Sequence, residues 1–310
     1  MLNAQFSIFN QEQSLTIFLV TSTMLQRSTV QLLRFHFSFF LLPVYLFALS
    51  QVPSPNWGKA LLIFVILHFL VYPSSNGYNS FMDRDEESIG GLANPLQPTR
   101  QLFMTSIVMD IVAVVAGIFI SPYFTAGVVL YILASRLYSY RGIRLKKFPV
   151  VGYLTVVIFQ GAVTFWLVYH GTHASQTLHV PVSGMLASSL LIGGFYPLTQ
   201  VYQHEADKKD GVTTISAALG YRGTFIFTGI VYFFAFMVLG YHFISSLEAR
   251  QFLLLQIFML PVLVLFFRWA VLVWKDFRNA DFKHTMQMNW VAATCTNLAF
   301  LILIIWRILE

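Results

Sequence analysis

Stretches of about 20 mostly apolar residues recur along nearly the whole chain, and they limit its possible folds more than any other feature. A bilayer core offers no water to backbone N–H and C=O groups, so only helices and closed barrels can cross it. Charged residues make up 10% of the 310 residues, whereas soluble domains contain about 25%. The sequence therefore predicts an all-α, polytopic membrane protein.

We count about nine spans on this length scale. Lys and Arg concentrate in every second connection between spans, a pattern typical of loops that face the cytoplasm. We therefore expect a single domain over residues 1–310, with residues 1–26 as a cytoplasmic or interfacial segment. The expected spans lie near 29–50, 58–79, 101–120, 122–138, 149–170, 181–202, 222–245, 252–274 and 286–307.

The charge pattern also bears on partners and location. The net charge of +6 comes from basic residues in short loops, which indicates membrane orientation and no nucleic-acid partner. The residues before the apolar stretch 15–25 include Glu12 but no Lys or Arg, so we expect no cleavable signal peptide. This fits a bacterial inner membrane. The oligomeric state is left open by the sequence.

Seven of the thirteen acidic residues lie in two short stretches, 79–87 and 200–210, which follow the second and sixth expected spans. Acidic residues at membrane helices are costly to dehydrate and usually mark an ion or substrate site. Asn79, Asp83 and Glu87 are spaced i, i+4, i+8, so on a continuous helix they would share one face.

The second acidic stretch has a similar spacing, because Gln200, Gln203 and Asp207 also fall on one helical face. Mg²⁺ prefers oxygen ligands and commonly binds one or two carboxylates together with water and substrate phosphates. If the bundle brings both stretches together, Asp83, Glu87 and Asp207 could hold Mg²⁺ against a diphosphate. The alternative is a solvated, charged loop entrance.

A basic connection, residues 138–147, lies on the same expected face of the membrane. Arg can bind phosphate oxygens in a bidentate fashion, and Lys can contact them as a point charge. Arg141, Arg144 and Lys146 are therefore candidates for diphosphate binding. A purely topological role, as a loop retained on the cytoplasmic side, is the alternative.

These stretches resemble motifs of the UbiA superfamily of intramembrane prenyltransferases, over nearly the whole chain. The family's first motif, N-D-x-x-D-x-x-x-D followed by a Pro-Leu turn, is similar to Asn79, Ser80, Asp83, Glu87 and Pro95-Leu96. Its second motif, D-x-x-x-x-E-x-D-R-x-x-G-x-x-T-L, is similar to Gln200, Glu205, Asp207, Lys208, Thr214 and Leu219-Gly220. Its Y-S-x-x-x-x-x-L-K loop is similar to Tyr138-Ser139 and Leu145-Lys146.

The resemblance implies a UbiA-like bundle of nine transmembrane helices around a central cavity, with both acidic motifs on the cytoplasmic side. It also implies transfer of a prenyl group from a prenyl diphosphate to a lipophilic, typically aromatic, acceptor with Mg²⁺ as cofactor. The candidate site residues are Asp83 and Asp207 for catalysis; Asn79, Asp83, Glu87, Gln203 and Asp207 for the metal; Arg141, Arg144 and Lys146 for the diphosphate; and Gln200, Glu205, Asp210 and Asp110 as further candidates.

Departures from the motifs leave alternatives open. Ser80 and Glu87 replace family aspartates, and Gln200 replaces the leading aspartate of the second motif, which puts the number of metals in doubt. A family member that binds isoprenoids without catalysis, or a transporter for a small ion or metabolite, would also fit an acidic membrane protein. Asp110 lies inside the third span, either in a cavity or in a structural pair. Arg34 lies near the start of the first span and faces either the cavity mouth or the membrane interface, with the interface as the favoured position.

Overall fold

The computed structural model describes residues 25–309, which form helices joined by short connections and contain no β-strand. Three short 3-10 segments, Phe35–Phe40, Leu145–Lys147 and Phe277–Asn279, lie in the connections. The helices are α1 Arg27–Leu33, α2 Leu42–Ser50, α3 Trp57–Asp83, α4 Arg100–Ile118, α5 Pro122–Ser139, α6 Pro149–Thr172, α7 Val182–Lys209, α8 Ile215–Ser245, α9 Ala249–Lys275 and α10 Phe282–Leu309.

The described residues confirm the all-α, polytopic architecture but not the count of about nine spans. Seven helices (α3, α4 and α6–α10) are long and apolar enough to cross a membrane, and α1 and α2 add an eighth span if the bent pair is counted together. The remaining helix, α5, has 18 residues and begins at Pro122, with Ser121 as its N-cap. The expectation for residues 1–24 lies outside the described residues.

Helix irregularities occur next to both acidic stretches. Helix α3 ends at Asp83, because Arg84 has a left-handed backbone with φ 55°. Helix α7 changes from α-helix to 3-10 helix over Tyr196–Gln203. Pro197 in this segment has no backbone N–H and so cannot donate an α-helical hydrogen bond. Helix α8 breaks at Gly220, whose φ of 70° and ψ of 173° are accessible to glycine but not to residues with a Cβ.

Aromatic side chains hold the centre of the bundle together. Phe47 of α2 is fully buried, and its ring lies 4.9 Å from that of Phe300 in α10 and 5.1 Å from that of Phe165 in α6. These contacts join helices from the beginning, middle and end of the chain. Many outward-facing side chains are large and apolar, as expected for surfaces in contact with lipid.

Candidate active site

A polar cavity of about 210 Å³ lies where α3, α5, α6 and α7 meet. Three carboxylates, those of Asp83, Asp85 and Asp207, line this cavity. The fold thus brings the two acidic stretches to one site, as the sequence predicted. Other polar side chains in its wall include Arg34, Asn79, Lys146, Gln200 and Gln203.

Asp83, the last residue of α3, is almost fully buried between two cations. Arg144 Nη2 lies 3.2 Å from Asp83 Oδ1, and Lys146 Nζ pairs with Oδ2. Arg141 holds the same helix end by donating to the backbone carbonyls of Met82, at 2.6 Å, and Asp83, at 3.0 Å. Because buried charges need compensating partners, the basic connection after α5 fixes the position of the Asp83 carboxylate.

Arg144 also reaches the second acidic stretch. Its Nη2 pairs with Asp210 Oδ2, and its Nη1 donates to the Asp210 carbonyl at 3.1 Å. Burial alone would raise the pKa of Asp210, but the hydrogen bond and charge of Arg144 lower that pKa below its usual value. Of the three residues expected at the diphosphate, Lys146 lines the cavity, whereas Arg141 and Arg144 instead tie the ends of α3 and α7 together.

Two buried oxygens in the cavity region, Asp207 Oδ2 and Gln200 Oε1, accept no hydrogen bond from any described residue. Leaving such atoms unpaired is costly. Within residues 25–309, no three carboxylate, imidazole or thiol side chains are close enough to hold a metal by themselves. Mg²⁺ does not require such a cluster, because amide oxygens, water and substrate phosphates can complete its coordination. The oxygen donors of this cavity therefore fit Mg²⁺ bound together with a phosphate ligand.

Asp85 is a cavity residue that the sequence analysis missed. Burial, together with the charge of Asp83, raises the pKa of Asp85 to about 6. The helical spacing had pointed to Glu87 as the next residue on the same face as Asp83. That expectation is wrong, because α3 ends at Asp83 and the helical face does not continue to Glu87. The Glu87 side chain is 55% exposed, pairs with Lys209 at 2.8 Å and lies outside the cavity wall.

The remaining candidates divide between the cavity and its surroundings. Asn79 lines the cavity and donates to Ser139 Oγ at 3.0 Å. Gln203 also lines it and donates to the Ser88 carbonyl at 3.3 Å. Glu205 is exposed and lies outside the wall.

Asp110 belongs to a buried network outside the cavity wall. Its carboxylate pairs with Arg136 of α5 and accepts a hydrogen bond from Ser74 of α3. The Arg136 guanidinium also lies 4.2 Å from the centre of the Tyr78 ring. These contacts join α3, α4 and α5, so the structure favours the structural pair over a cavity role for Asp110.

A sequence model of the UbiA prenyltransferase family matches residues 38–293. The chain belongs to the UbiA prenyltransferase family. The resemblance carried by the two acidic motifs and the basic connection is thereby confirmed. No curated protein sequence matches this UbiA protein.

Solved structures of membrane proteins share the fold of this family member. A digeranylgeranylglyceryl phosphate synthase structure has a TM-score of 0.60 at 20% identity and covers 90% of this chain and 98% of its own. A UbiA homologue from Archaeoglobus fulgidus bound to GPP and Mg²⁺ gives 0.66 at 17% identity, with coverages of 89% and 99%. The apo homologue from Aeropyrum pernix K1 gives 0.63 at 18% identity, with coverages of 86% and 97%.

This UbiA protein has a further cation, Arg34, in the cavity wall. Arg34 is 6% exposed and lines the cavity, so the favoured interfacial position is wrong and the alternative position at the cavity agrees with the structure. Its guanidinium donates to the carbonyls of Gly90, at 3.1 Å, and Asn76, at 3.3 Å, while its Nε has no partner among the described residues. No sequence pattern predicted the turn after α1, where Arg34 has a left-handed backbone with φ 49°.

The second motif of this UbiA protein is coupled to two tyrosines. Gln200 Nε2 donates to Tyr196 Oη at 2.9 Å, and Tyr196 Oη is hydrogen-bonded to Tyr138 Oη. All three side chains line the cavity. An amide therefore occupies the position of the family's leading aspartate, and two phenols connect it to the end of α5.

Proposed function

We propose that this protein transfers a prenyl group from a prenyl diphosphate to a lipophilic acceptor within the membrane, with Mg²⁺ as cofactor. The polar cavity carries this proposal, because carboxylates of both acidic stretches, unpaired buried oxygens and Lys146 meet in it. Family membership and the fold shared with UbiA homologues bound to GPP or DMAPP and Mg²⁺ also support it.

The polar side chains in and beside the cavity have distinct proposed roles. Asp83 and Asp207 hold Mg²⁺, with oxygen atoms of Asn79, Gln200 and Gln203 as additional ligands. When bound, Mg²⁺ neutralises the diphosphate and stabilises the charge that develops as it leaves. Lys146 and Arg34 bind the remaining diphosphate oxygens, while Arg141 and Arg144 keep the ends of α3 and α7 in position.

The bond between the allylic carbon and the diphosphate oxygen breaks, and its electron pair leaves with the diphosphate. An electron pair of the acceptor, which we propose to be aromatic, forms the new bond to that carbon. The acceptor loses one proton, which the released diphosphate takes up. Aromatic faces can stabilise a cation in such a pocket, and the cavity wall contains the rings of Phe37, Tyr131, Tyr138, Phe159 and Tyr196.

The proposal includes an orientation. The basic connection after α5 lies at the cavity end of the bundle, so the rule that positive loops stay inside puts the cavity on the cytoplasmic side. A bacterial inner membrane as the location stays a prediction.

Binding of geranyl, farnesyl and geranylgeranyl diphosphate to detergent-purified protein, with Mg²⁺ or with EDTA, tests the proposed function. We expect Mg²⁺-dependent binding that Asp83→Asn weakens at least about tenfold, because a charged ligand contact is worth roughly 1.5–3 kcal/mol. Glu86→Gln is the matched control, since Glu86 is exposed and outside the cavity wall. Folded wild-type protein that binds none of these diphosphates would contradict the proposal and favour a transporter.

A further inference from the structure

The ion pair between Lys146 and Asp83 joins two residues with different proposed roles. Lys146 Nζ pairs with Asp83 Oδ2, and Arg144 Nη2 lies 3.2 Å from Asp83 Oδ1, so both carboxylate oxygens have a cationic partner. The side chains of Asp83 and Lys146 are 3% and 12% exposed, so water screens this pair little. Bringing Mg²⁺ to Oδ2 beside Lys146 would place two cations within about 4 Å of each other, which is strongly repulsive.

The two cations at Asp83 differ in how firmly they are held. Arg144 also pairs with the Asp210 carboxylate, and its Nη1 donates to the Asp210 carbonyl at 3.1 Å. The Lys146 ammonium group has three protons to donate, but Asp83 is its single hydrogen-bonded partner among the described residues. Its flexible stem can change rotamer. Lys146 is therefore the cation that can leave Asp83 while Arg144 stays in place.

The Lys146 charge also acts on the other two carboxylates that line the cavity. Burial and the charge of Asp83 raise the pKa of Asp85, and the charge of Lys146 opposes this shift. Lys146 interacts electrostatically with Asp207 as well. One ammonium group thus serves all three carboxylates as an internal counter-ion.

The protein charges around the cavity balance one another. Adding Mg²⁺ alone would put an uncompensated double positive charge into a poorly solvated site, which is costly. A diphosphate that arrives with Mg²⁺ brings at least as much negative charge, and its oxygens can accept hydrogen bonds from Lys146. Within the described part of the chain, four carboxylates interact with four cationic side chains, namely Asp83, Asp85, Asp207 and Asp210 with Arg34, Arg141, Arg144 and Lys146.

We infer that Lys146 moves from Asp83 to the diphosphate when the donor binds, so that Mg²⁺ reaches Asp83 only together with the prenyl diphosphate. The inference rests on the proposed function, in which Asp83 holds Mg²⁺ and Lys146 contacts diphosphate oxygens. These two roles exclude the ion pair between the residues, so the pair has to open. Lys146 is first the counter-ion of Asp83 and then a ligand of the diphosphate.

The alternative is a fixed structural pair, in which Lys146 stays at Asp83 throughout. Removing the ammonium group would then leave a buried carboxylate with one partner fewer and disturb the end of α3, so metal binding would become weaker. The inference predicts the opposite. A neutral residue at position 146 frees Asp83 Oδ2 and removes a competing cation, so metal binding without the donor becomes stronger.

Mn²⁺ serves as a paramagnetic probe for Mg²⁺, with its free concentration measured by electron paramagnetic resonance in detergent-purified protein. Titrations are run with Mn²⁺ alone and with saturating geranyl diphosphate, and binding of Mn²⁺ to free geranyl diphosphate is subtracted. For wild type we expect the donor to tighten Mn²⁺ binding about 100-fold, within the usual range for coupled ligands. Without the donor, Lys146→Met and Lys146→Gln should bind Mn²⁺ at least about tenfold more tightly than wild type, because one nearby like charge is removed.

Lys147→Met is the matched control. Lys147 carries the same charge and is the next residue, but it is exposed, lies near the ring of Phe148 and is outside the cavity wall. This variant should bind Mn²⁺ as wild type does, with and without the donor. Two substitutions are made at Lys146 so that the result does not depend on the folding of one variant, and thermal unfolding shows which proteins are folded.

Unchanged or weaker binding of Mn²⁺ alone by folded Lys146→Met and Lys146→Gln would overturn the inference and make the ion pair structural. Equal Mn²⁺ affinity of wild type with and without geranyl diphosphate would overturn it as well. Both outcomes leave the proposed function standing. Failure of wild type to bind geranyl diphosphate in the presence of Mn²⁺ would instead count against the proposed function itself.

Discussion

Lys146 and Lys147 are neighbours in sequence, but their surroundings differ. Lys146 pairs with Asp83 in the cavity wall, whereas Lys147 is exposed and lies 4.9 Å from the ring of Phe148. We expect Lys146→Gln to raise the KM for prenyl diphosphate about tenfold, because a charge-assisted hydrogen bond is lost. Lys147→Gln should leave that KM unchanged. If steady-state kinetics show the same change in KM for both variants, Lys146 does not bind the diphosphate and has only a topological role.

We propose that Gln200, which replaces an aspartate of the family motif, limits how strongly the second motif binds Mg²⁺. Its Oε1 is buried and unpaired, so a carboxylate at this position would add a charged ligand. We expect Gln200→Asp to lower the Mg²⁺ concentration for half-maximal transfer by roughly threefold to tenfold. Gln200→Leu, which removes the oxygen, should raise that concentration. If neither substitution moves the Mg²⁺ titration, Gln200 is not a ligand.

Residue type and helical spacing explain what the sequence predicted at the site and what it missed. Asp83 and Asp207 stood out because carboxylates are rare in so apolar a chain. Glu87 was placed in the cavity only by extending α3 past Asp83, where the left-handed backbone of Arg84 ends the helix. For Arg34 the interface was favoured over the cavity mouth because a basic residue near a span end is most often at the interface.

At the scale of the helices, the break in α8 depends on the backbone conformation of Gly220. Gly220 breaks α8 with φ 70° and ψ 173°, and a Cβ there would meet no atom within 4 Å. Gly220→Ala therefore adds backbone strain without a clash, and we expect it to cost roughly 1–3 kcal/mol of stability. Gly229→Ala in the same helix is the control, since its Cβ is equally unobstructed but the backbone is helical. Similar midpoints of thermal unfolding for both variants would contradict this expectation.

The length of the apolar stretches predicted most helices well. Long helices such as α9 and α10, for example, lie close to their expected spans. The sequence did not show where helices bend or narrow. The 3-10 segment Tyr196–Gln203 places Gln200 and Gln203 in the same wall as the α-helical spacing did, because residues three apart are neighbours in both geometries. The two side chains therefore share one face as expected, although the helix type at this point differs from the expected α-helix.

Across the whole molecule, two ion-pair connections join the first acidic stretch to the second at the polar end of the bundle. In one, Arg144 joins Asp83 to Asp210 and is largely buried. In the other, Lys209 pairs with Glu87, and both side chains are exposed. Because solvent screens exposed charges, the connection through Arg144 should contribute more to holding the ends of α3 and α7 together.

Two double-mutant cycles compare the contributions of the buried and the exposed connection, with free energies of unfolding determined in mixed micelles. We expect Arg144→Gln and Asp210→Asn to be coupled by on the order of 1 kcal/mol, because they share a partly buried, hydrogen-bonded pair. Lys209→Gln and Glu87→Gln should be additive, since water replaces their contact. Additivity in both cycles would mean that helix packing alone aligns the acidic stretches. Strong coupling in the exposed pair would place Glu87 closer to the site than its 55% exposure indicates.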